Sequence, residues 1–317
     1  MTHDILYYDF YGGNLAGIKE KFAYLKSLGV TVIYLNPIFE SLTNHRYSTA
    51  DYYKVDSFLG TNEEFKAFCQ AAKDEGIRII LDGVFSHTGA DSIYFNKFGN
   101  YDSVGAFQSK ESPYYEWYRF KDYPNDYESW WGVMDLPNVE ETTPSYMDFI
   151  IYNDNSVLKY WLNEGISGWR LDVIDELPTK FLQAFYKTLK ETNPDALLIG
   201  EVWEDASNKS SYGEQRQYLC GHDIDSAMNY ALRAVLLDFV LCHTDGEVMS
   251  DRLLQLIEHY PKENWYAMLN LVGSHDIVRI LTVLQDGVDE RDGTRAVEIA
   301  LSLANDYARC AVHLLWR

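Results

Sequence analysis

Two kinds of hydrophobic pattern alternate along the chain. Residues 14–28 (NLAGIKEKFAYLKSL) space Leu15, Ile18, Phe22, Leu25 and Leu28 by three or four positions, one face of a helix, and Gly29 follows as a stop. TVIYLNPIF (31–39) is then a short apolar run rich in β-branched residues, as in a buried parallel strand. The cycle recurs. Thr61 and Glu64 have capping-box spacing ahead of a helix over 62–75 that Gly76 ends, and IRIILDGV (77–84) is a second buried strand. A helix near 154–164 leads to GWRLDV (168–173), and one near 178–191 leads to ALLIGEVW (196–203). DIDSAMNY (223–230) is a weaker strand. Helices at 231–241 and 247–259 precede WYAMLNLVGSHD (265–276), and a helix over 294–305 follows.

Strands alternating with helices in this way predict βαβ units and a parallel sheet. The stretch 88–150 breaks the rhythm. It is rich in Tyr, Trp, Phe, Asp and Asn and shows little periodicity, which marks either a lid or a small subdomain. A length of 317 residues accommodates one large α/β barrel or two ordinary domains.

Composition narrows the partners. With 27 Lys and Arg against 48 Asp and Glu, the net charge of −21 would repel a phosphate backbone, so no nucleic acid partner is expected. No apolar run approaches the roughly 20 residues a membrane helix needs. The start, MTHDILYYDF, lacks the basic and apolar stretches of a secretory signal, which favours the cytoplasm. Cys69, Cys220, Cys242 and Cys310 are scattered without metal-ligand spacing and are expected to be reduced, buried, inert thiols. Aromatic residues make up 15% of the chain. They pack cores and also stack on the apolar faces of sugar rings, and composition does not separate the two roles.

Ionisable residues gather at the C-terminal ends of the expected strands: Asp82 and His87, Arg170 and Asp172, Glu201, and His275 and Asp276. In a (β/α)8 barrel that face carries the active site. A single aspartate at a strand end is usually a helix cap or loop residue, but the joint pattern is harder to explain so. Asp172 follows directly on apolar strand residues, and a buried carboxylate is costly unless paired. Arg170, two residues earlier, shares its face of the strand and would keep Asp172 ionised, as a nucleophile requires. Glycosidic bonds are cleaved with two carboxyl groups, and neighbouring barrel strands can hold Asp172 and Glu201 at the about 5–5.5 Å of a retaining mechanism. An apolar setting from Val202 and Trp203 would keep Glu201 protonated, as suits an acid.

These motifs resemble the α-amylase superfamily, glycoside hydrolase family 13, over nearly the whole chain. DGVFSH (82–87), GWRLDV (168–173), EVW (201–203) and SHD (274–276) are similar to its four conserved regions, in order. MDLPN (134–138) resembles its fifth motif, and HRY (45–47) the stretch whose tyrosine stacks on the sugar in the −1 subsite. The resemblance implies Asp172 as nucleophile, Glu201 as acid/base and Asp276 as the third, transition-state-stabilising carboxylate. It implies that Arg170 orients the nucleophile and that His87 and His275 bind the −1 sugar. Asp82 would be a structural and substrate-site aspartate, Tyr47 the stacking platform, and Trp203 a further substrate contact. Val173, Glu176 and ESWWGVMDLPN (128–138) lean toward neopullulanase, cyclomaltodextrinase and amylopullulanase enzymes. The substrates implied are α-1,4- and α-1,6-linked glucans such as pullulan, cyclodextrin or maltodextrin. No cofactor is implied. Ser86 stands where many relatives have a calcium-binding Asn, so calcium is not supported either. A homodimer of the full-length enzyme is compatible with the resemblance.

The fold class implied is α/β, a (β/α)8 TIM barrel over 1–87 and 151–317, with a small subdomain (88–150) inserted after the third barrel strand. Six strands are recognisable, two short of closure. The family's first strand, which resembles YQIFPDRF, is reduced to LYYDF, and its closing strand PGVPxIYYGDE is replaced by ANDYARCAVHLLWR (304–317). Permitted codons for that segment, read one base later, give LMTMPGVPSIYYG, which suggests a lost frame near Ala304. Open sheet edges would then make the chain as written poorly soluble and nearly inactive. Two other readings share the motifs: a transglycosylase of the same family, and a defunct or non-catalytic fragment.

Overall fold

The computed structural model describes residues 7–286. The expected helix over 294–305, Cys310 and the segment 304–317 lie outside the described residues. The chain forms two compact units that divide between Leu198 and Ile199.

Among the described residues, six strands form one sheet in chain order: β1 (Val32–Leu35), β2 (Arg78–Gly83), β3 (Gly168–Leu171), β4 (Leu197–Gly200), β5 (Ser226–Asn229) and β6 (Leu269–Asn270). The division between the units falls inside β4. In the first unit β1 runs parallel to β2, with Val32 opposite Arg78, and β2 parallel to β3, with Asp82 opposite Arg170. In the second unit β5 runs parallel to β4 and to β6. Parallel strands joined through helices are the architecture of an incomplete (β/α)8 barrel, as predicted. No helix among the described residues is long and apolar enough to cross a membrane.

The helix Asn62–Asp74 carries its capping box as read from sequence. Thr61 Oγ1 accepts from the Glu64 N–H at 3.2 Å, and Glu64 Oε2 accepts from the Thr61 N–H at 2.8 Å. Phe65, Phe68, Cys69 and Ala72 form its buried face. Helix Thr179–Thr192 likewise buries Phe181, Leu182, Phe185 and Leu189. The first unit's core holds many packed aromatic rings. Trp161 lies 5.0 Å from Phe39 and 5.3 Å from Phe65, and Phe85 lies 5.8 Å from Trp169 and 5.6 Å from Phe185, ring centre to ring centre. Each such pair contributes about 0.5–1.5 kcal/mol beyond its buried area. The stretch 88–150 has an aromatic cluster of its own, with Phe95 packed against Phe107, Tyr118, Phe120 and Tyr127.

Four local expectations are corrected. Residues 14–28 form two helices, Leu15–Lys19 and Phe22–Ser27, because Lys21 leaves helical geometry at ψ 0°. The apolar stripe is broken there, and Leu28 ends 55% exposed. The strand expected over 31–39 stops at Leu35, ahead of Pro37, which has no N–H for a ladder. Phe39–Ser41 pairs instead with Thr49–Val55 as an antiparallel hairpin. The strand expected over 265–276 shrinks to Leu269–Asn270, because Pro261 caps a helix, Lys262–Ala267, that takes up Trp265 to Ala267. Cys69 is buried, and burial pushes its thiol up to about 12, but Cys220 and Cys242 are exposed, contrary to the expectation of buried thiols. Cys220 precedes a turn glycine, and Cys242 follows the end of helix Tyr230–Val240 with a positive φ of 59°.

Gly168, the first residue of β3, has no room for a side chain. A Cβ there would lie 2.2 Å from the Leu197 carbonyl oxygen, a backbone atom that cannot swing aside, and φ is +159°. Gly168→Ala is therefore expected to cost several kcal/mol, of order the largest single-residue losses. Urea denaturation followed by circular dichroism measures it; a loss below about 1 kcal/mol would show that the strands can separate freely at this point.

Candidate active site

In the first unit the site is organised around a fully buried guanidinium. Arg170 lies in the middle of β3, where side chains alternate between faces, so it shares a face with Asp172 just beyond the strand end. Arg170 Nη1 donates to Asp172 Oδ1 at 2.7 Å and to Asp82 Oδ1 at 2.8 Å. Asp82 arrives from β2 in register with Arg170. Its other oxygen, Oδ2, accepts the hydroxyls of Tyr34 at 2.5 Å and Tyr47 at 2.8 Å. Burial first, and then the charge of Asp82, push both tyrosine hydroxyls well above their ordinary range, so both stay protonated and donate. The Arg170 guanidinium also sits 5.7 Å from the centre of the Tyr34 ring. Asp172 is 6% exposed, and its N–H donates to the Gly83 carbonyl at 3.1 Å.

His87 is buried, and burial holds its imidazole down to about 4, so it is neutral near pH 7. Its Nε2 lies 3.1 Å from the Tyr47 carbonyl oxygen, which can only accept, so the ring proton is on Nε2. Nδ1 is then the acceptor for Ser86 Oγ at 3.1 Å. The hydroxyl of the residue that departs from the family pattern is therefore directed at the neighbouring histidine. The Trp130 ring lies 5.6 Å from the His87 ring.

The second unit holds the remaining expected residues. Glu201 directly follows β4 and is buried, and Trp203 Nε1 donates to its Oε1 at 3.1 Å. Trp203, read from sequence as part of an apolar setting for Glu201, meets its carboxylate through the indole N–H. Its ring is 42% exposed and stacks on Tyr230 at 4.5 Å with the planes 3° apart. Tyr230 donates its hydroxyl to Ser274 Oγ at 3.1 Å, and Ser274 Oγ accepts the Asp276 N–H at 3.2 Å. His275 Nε2 lies 3.2 Å from Asp276 Oδ2. Glu201, Trp203, Tyr230, Ser274 and Asp276 are thus joined by one chain of contacts.

Of the nine residues singled out from sequence, Asp82, Arg170, Asp172, Tyr47 and His87 are linked in the first unit. Glu201, Trp203, His275 and Asp276 are linked in the second. Sequence reasoning passed over Tyr34 and Tyr230. Tyr34 is the one hydroxyl in the apolar run VIYL, two positions short in register of Asp82, and that polar intrusion was the available signal. It also passed over Glu141, whose carboxyl burial pushes up to about 8; nothing in its sequence neighbourhood signals burial.

A model described as the α-amylase catalytic domain matches residues 3–308. The chain belongs to the α-amylase family. It is 41% identical, over 92% of its length, to an amylopullulanase of Thermoanaerobacter thermohydrosulfuricus, and 35% identical, over 86%, to a cyclomaltodextrinase of Geobacillus thermopakistaniensis. It spans only 21% and 45% of those relatives' own lengths. Among solved structures, a cyclic α-maltosyl-(1→6)-maltose hydrolase of Arthrobacter globiformis matches with a TM-score of 0.78 and 32% identity, covering 87% of this chain and 60% of that one. A type III pullulan hydrolase of Thermococcus kodakarensis matches at 0.79 and 32%, covering 91% and 49%.

Two outcomes test the electrostatics of the first unit. Arg170→Leu leaves two buried carboxylates facing each other without a cation and should cost about 3–5 kcal/mol, read as a fall in the urea unfolding free energy. A change under 1 kcal/mol would mean that water already reaches the pair. His87 has a folded value of about 4 against an ordinary 6.5, so the unfolded chain binds its proton first as pH falls. The stability from keeping it neutral is whole above pH 6.5 and is lost progressively down to pH 4, about 3 kcal/mol in all. Unfolding free energies at pH 7 and pH 4.5 should therefore differ less in His87→Gln than in the unaltered protein; equal differences would remove this assignment.

Proposed function

We propose that the chain carries the catalytic residues of a retaining α-glucan hydrolase that acts on α-1,4- and α-1,6-glucosidic bonds, with 88–150 as a subdomain inserted in the barrel. The observation that carries this reading is the placement of Asp172. A carboxylate just past the end of a buried parallel strand, 2.7 Å from a fully buried arginine, is ionised and aimed rather than solvated. Family membership supports the same reading, as do relatives named for pullulan, cyclomaltodextrin and a cyclic (1→6)-linked maltose.

In this mechanism Asp172 attacks the anomeric carbon as Glu201 gives its proton to the departing glycosidic oxygen, leaving a β-linked glycosyl-enzyme ester. Glu201, now ionised, takes a proton from water, whose oxygen displaces Asp172 from the opposite face and restores the α configuration. Asp276 and His275 hold hydroxyls of the sugar at the cleaved bond. Asp82 and Arg170 keep Asp172 oriented, and Tyr47 supplies a face for that sugar ring. A sugar hydroxyl in place of water gives transglycosylation with the same residues. No cofactor takes part, and the substrate is an α-glucan chain.

Asp172→Asn and Glu201→Gln should each lower the hydrolysis of maltodextrin, pullulan and cyclodextrin by at least about 10²–10⁴-fold. Proton NMR of the first product formed should show the α anomer. Full activity in either variant removes that residue from its role, and a β product would make the enzyme inverting.

A further inference from the structure

Trp131 is 80% exposed, the second most exposed large hydrophobic side chain among the described residues, and yet it is held firmly. Its backbone sits in the left-handed region at φ 51°, ψ 27°, which an aromatic residue adopts only at a cost. Its Nε1 donates to Glu176 Oε1 at 2.6 Å. Glu176 ends the short helix Ile174–Glu176, four residues beyond Asp172, and Val173 between them is itself left-handed at φ 35°. On the other side, the adjoining Trp130 packs on His87 and lies 6.0 Å from the Trp131 ring. An exposed indole is therefore tied to two parts of the site, the segment that follows Asp172 and the histidine that follows β2.

An exposed ring loses little entropy on binding when backbone and edge are already fixed, and its open π face complements the C–H face of a pyranose. We propose that Trp131 is a stacking platform for a glucose unit of the substrate away from the cleaved bond, with Glu176 as its positioning residue, so that the pair sets the preference for longer α-glucan chains. This inference rests on the α-glucan reading above. The hydrogen bond consumes the only polar atom of the indole, so what Trp131 offers a ligand is apolar surface alone. Recognition there is by ring stacking and does not depend on the linkage. Because the anchor is the fourth residue past Asp172, the platform tunes binding of the chain and not the chemistry at the anomeric carbon.

The test uses the whole chain in the Asp172→Asn background, which binds without turnover. Maltoheptaose and maltose are titrated calorimetrically into this protein and into versions that also carry Trp131→Asn, Trp131→Phe or Glu176→Gln, each checked by circular dichroism. Asn tolerates positive φ, so Trp131→Asn removes the ring without forcing the backbone. It should raise the maltoheptaose Kd about tenfold and leave maltose unchanged. Trp131→Phe keeps a ring and Glu176→Gln keeps an acceptor oxygen, so both should retain most of the affinity. Unchanged maltoheptaose binding in Trp131→Asn overturns the platform and leaves the α-glucan reading standing. If the Asp172→Asn protein binds neither sugar, the α-glucan reading falls, and the platform falls with it.

Discussion

The first unit depends on a single buried cation that serves two carboxylates. A guanidinium with no exposure would be prohibitively costly alone, and so would Asp82 at 1%. Each is tolerable because the other is there, and Asp82 is further held by two tyrosine hydroxyls. This fixes where the guanidinium can lie, and the guanidinium in turn fixes Asp172. Orientation of the candidate nucleophile is therefore inherited from the register of β2 against β3, which places Asp82 opposite Arg170. A slip of one residue between the strands would put Asp82 and Arg170 on opposite faces.

The separation of aromatic roles, which composition left open, follows from burial. Trp161 and Trp169 are wholly enclosed and belong to the core. Trp131 and Trp203 are exposed, and each gives its indole N–H to a glutamate, Glu176 and Glu201 respectively. Trp161 gives its indole N–H to the Tyr52 carbonyl at 2.8 Å inside the core, whereas a surface tryptophan with its edge fixed still has an apolar face open in a defined place. That combination favours ring-on-ring contact with a sugar over incidental exposure.

The legible part of the molecule was what local pattern controls. The helix over Asn62–Asp74 announced itself through Thr61 and Glu64, and the buried strands through short apolar runs. Asp82, Arg170 and Asp172 were legible because charge inside such runs demands partners. What was not legible arose from contacts distant in sequence. Tyr34 reads as one more apolar strand residue until Asp82, 48 positions on, is seen to accept its hydroxyl. Trp131 reads as part of an aperiodic aromatic stretch until Glu176 is found 45 positions away. The overlong strand expected at 265–276 shows the reverse error: apolar content outweighed Pro261, which caps the helix Lys262–Ala267 and leaves only Leu269–Asn270 as strand.

The departure at Ser86 bears on how Tyr47 can work. Ser86 gives its hydroxyl proton to His87 Nδ1, and this leaves the His87 ring proton on Nε2, facing the Tyr47 carbonyl. Tyr47 is then gripped twice, through its carbonyl by His87 and through its hydroxyl by Asp82. Its N–H is taken as well, by His45 Nδ1 at 3.1 Å. A residue held at its backbone and at its hydroxyl presents its ring in one orientation, which suits the proposed role of Tyr47 as a face for a sugar. Burial keeps the His87 imidazole neutral, so Nδ1 is free to accept the Ser86 hydroxyl while Nε2 donates to Tyr47. The buried imidazole is thus part of how Tyr47 is positioned.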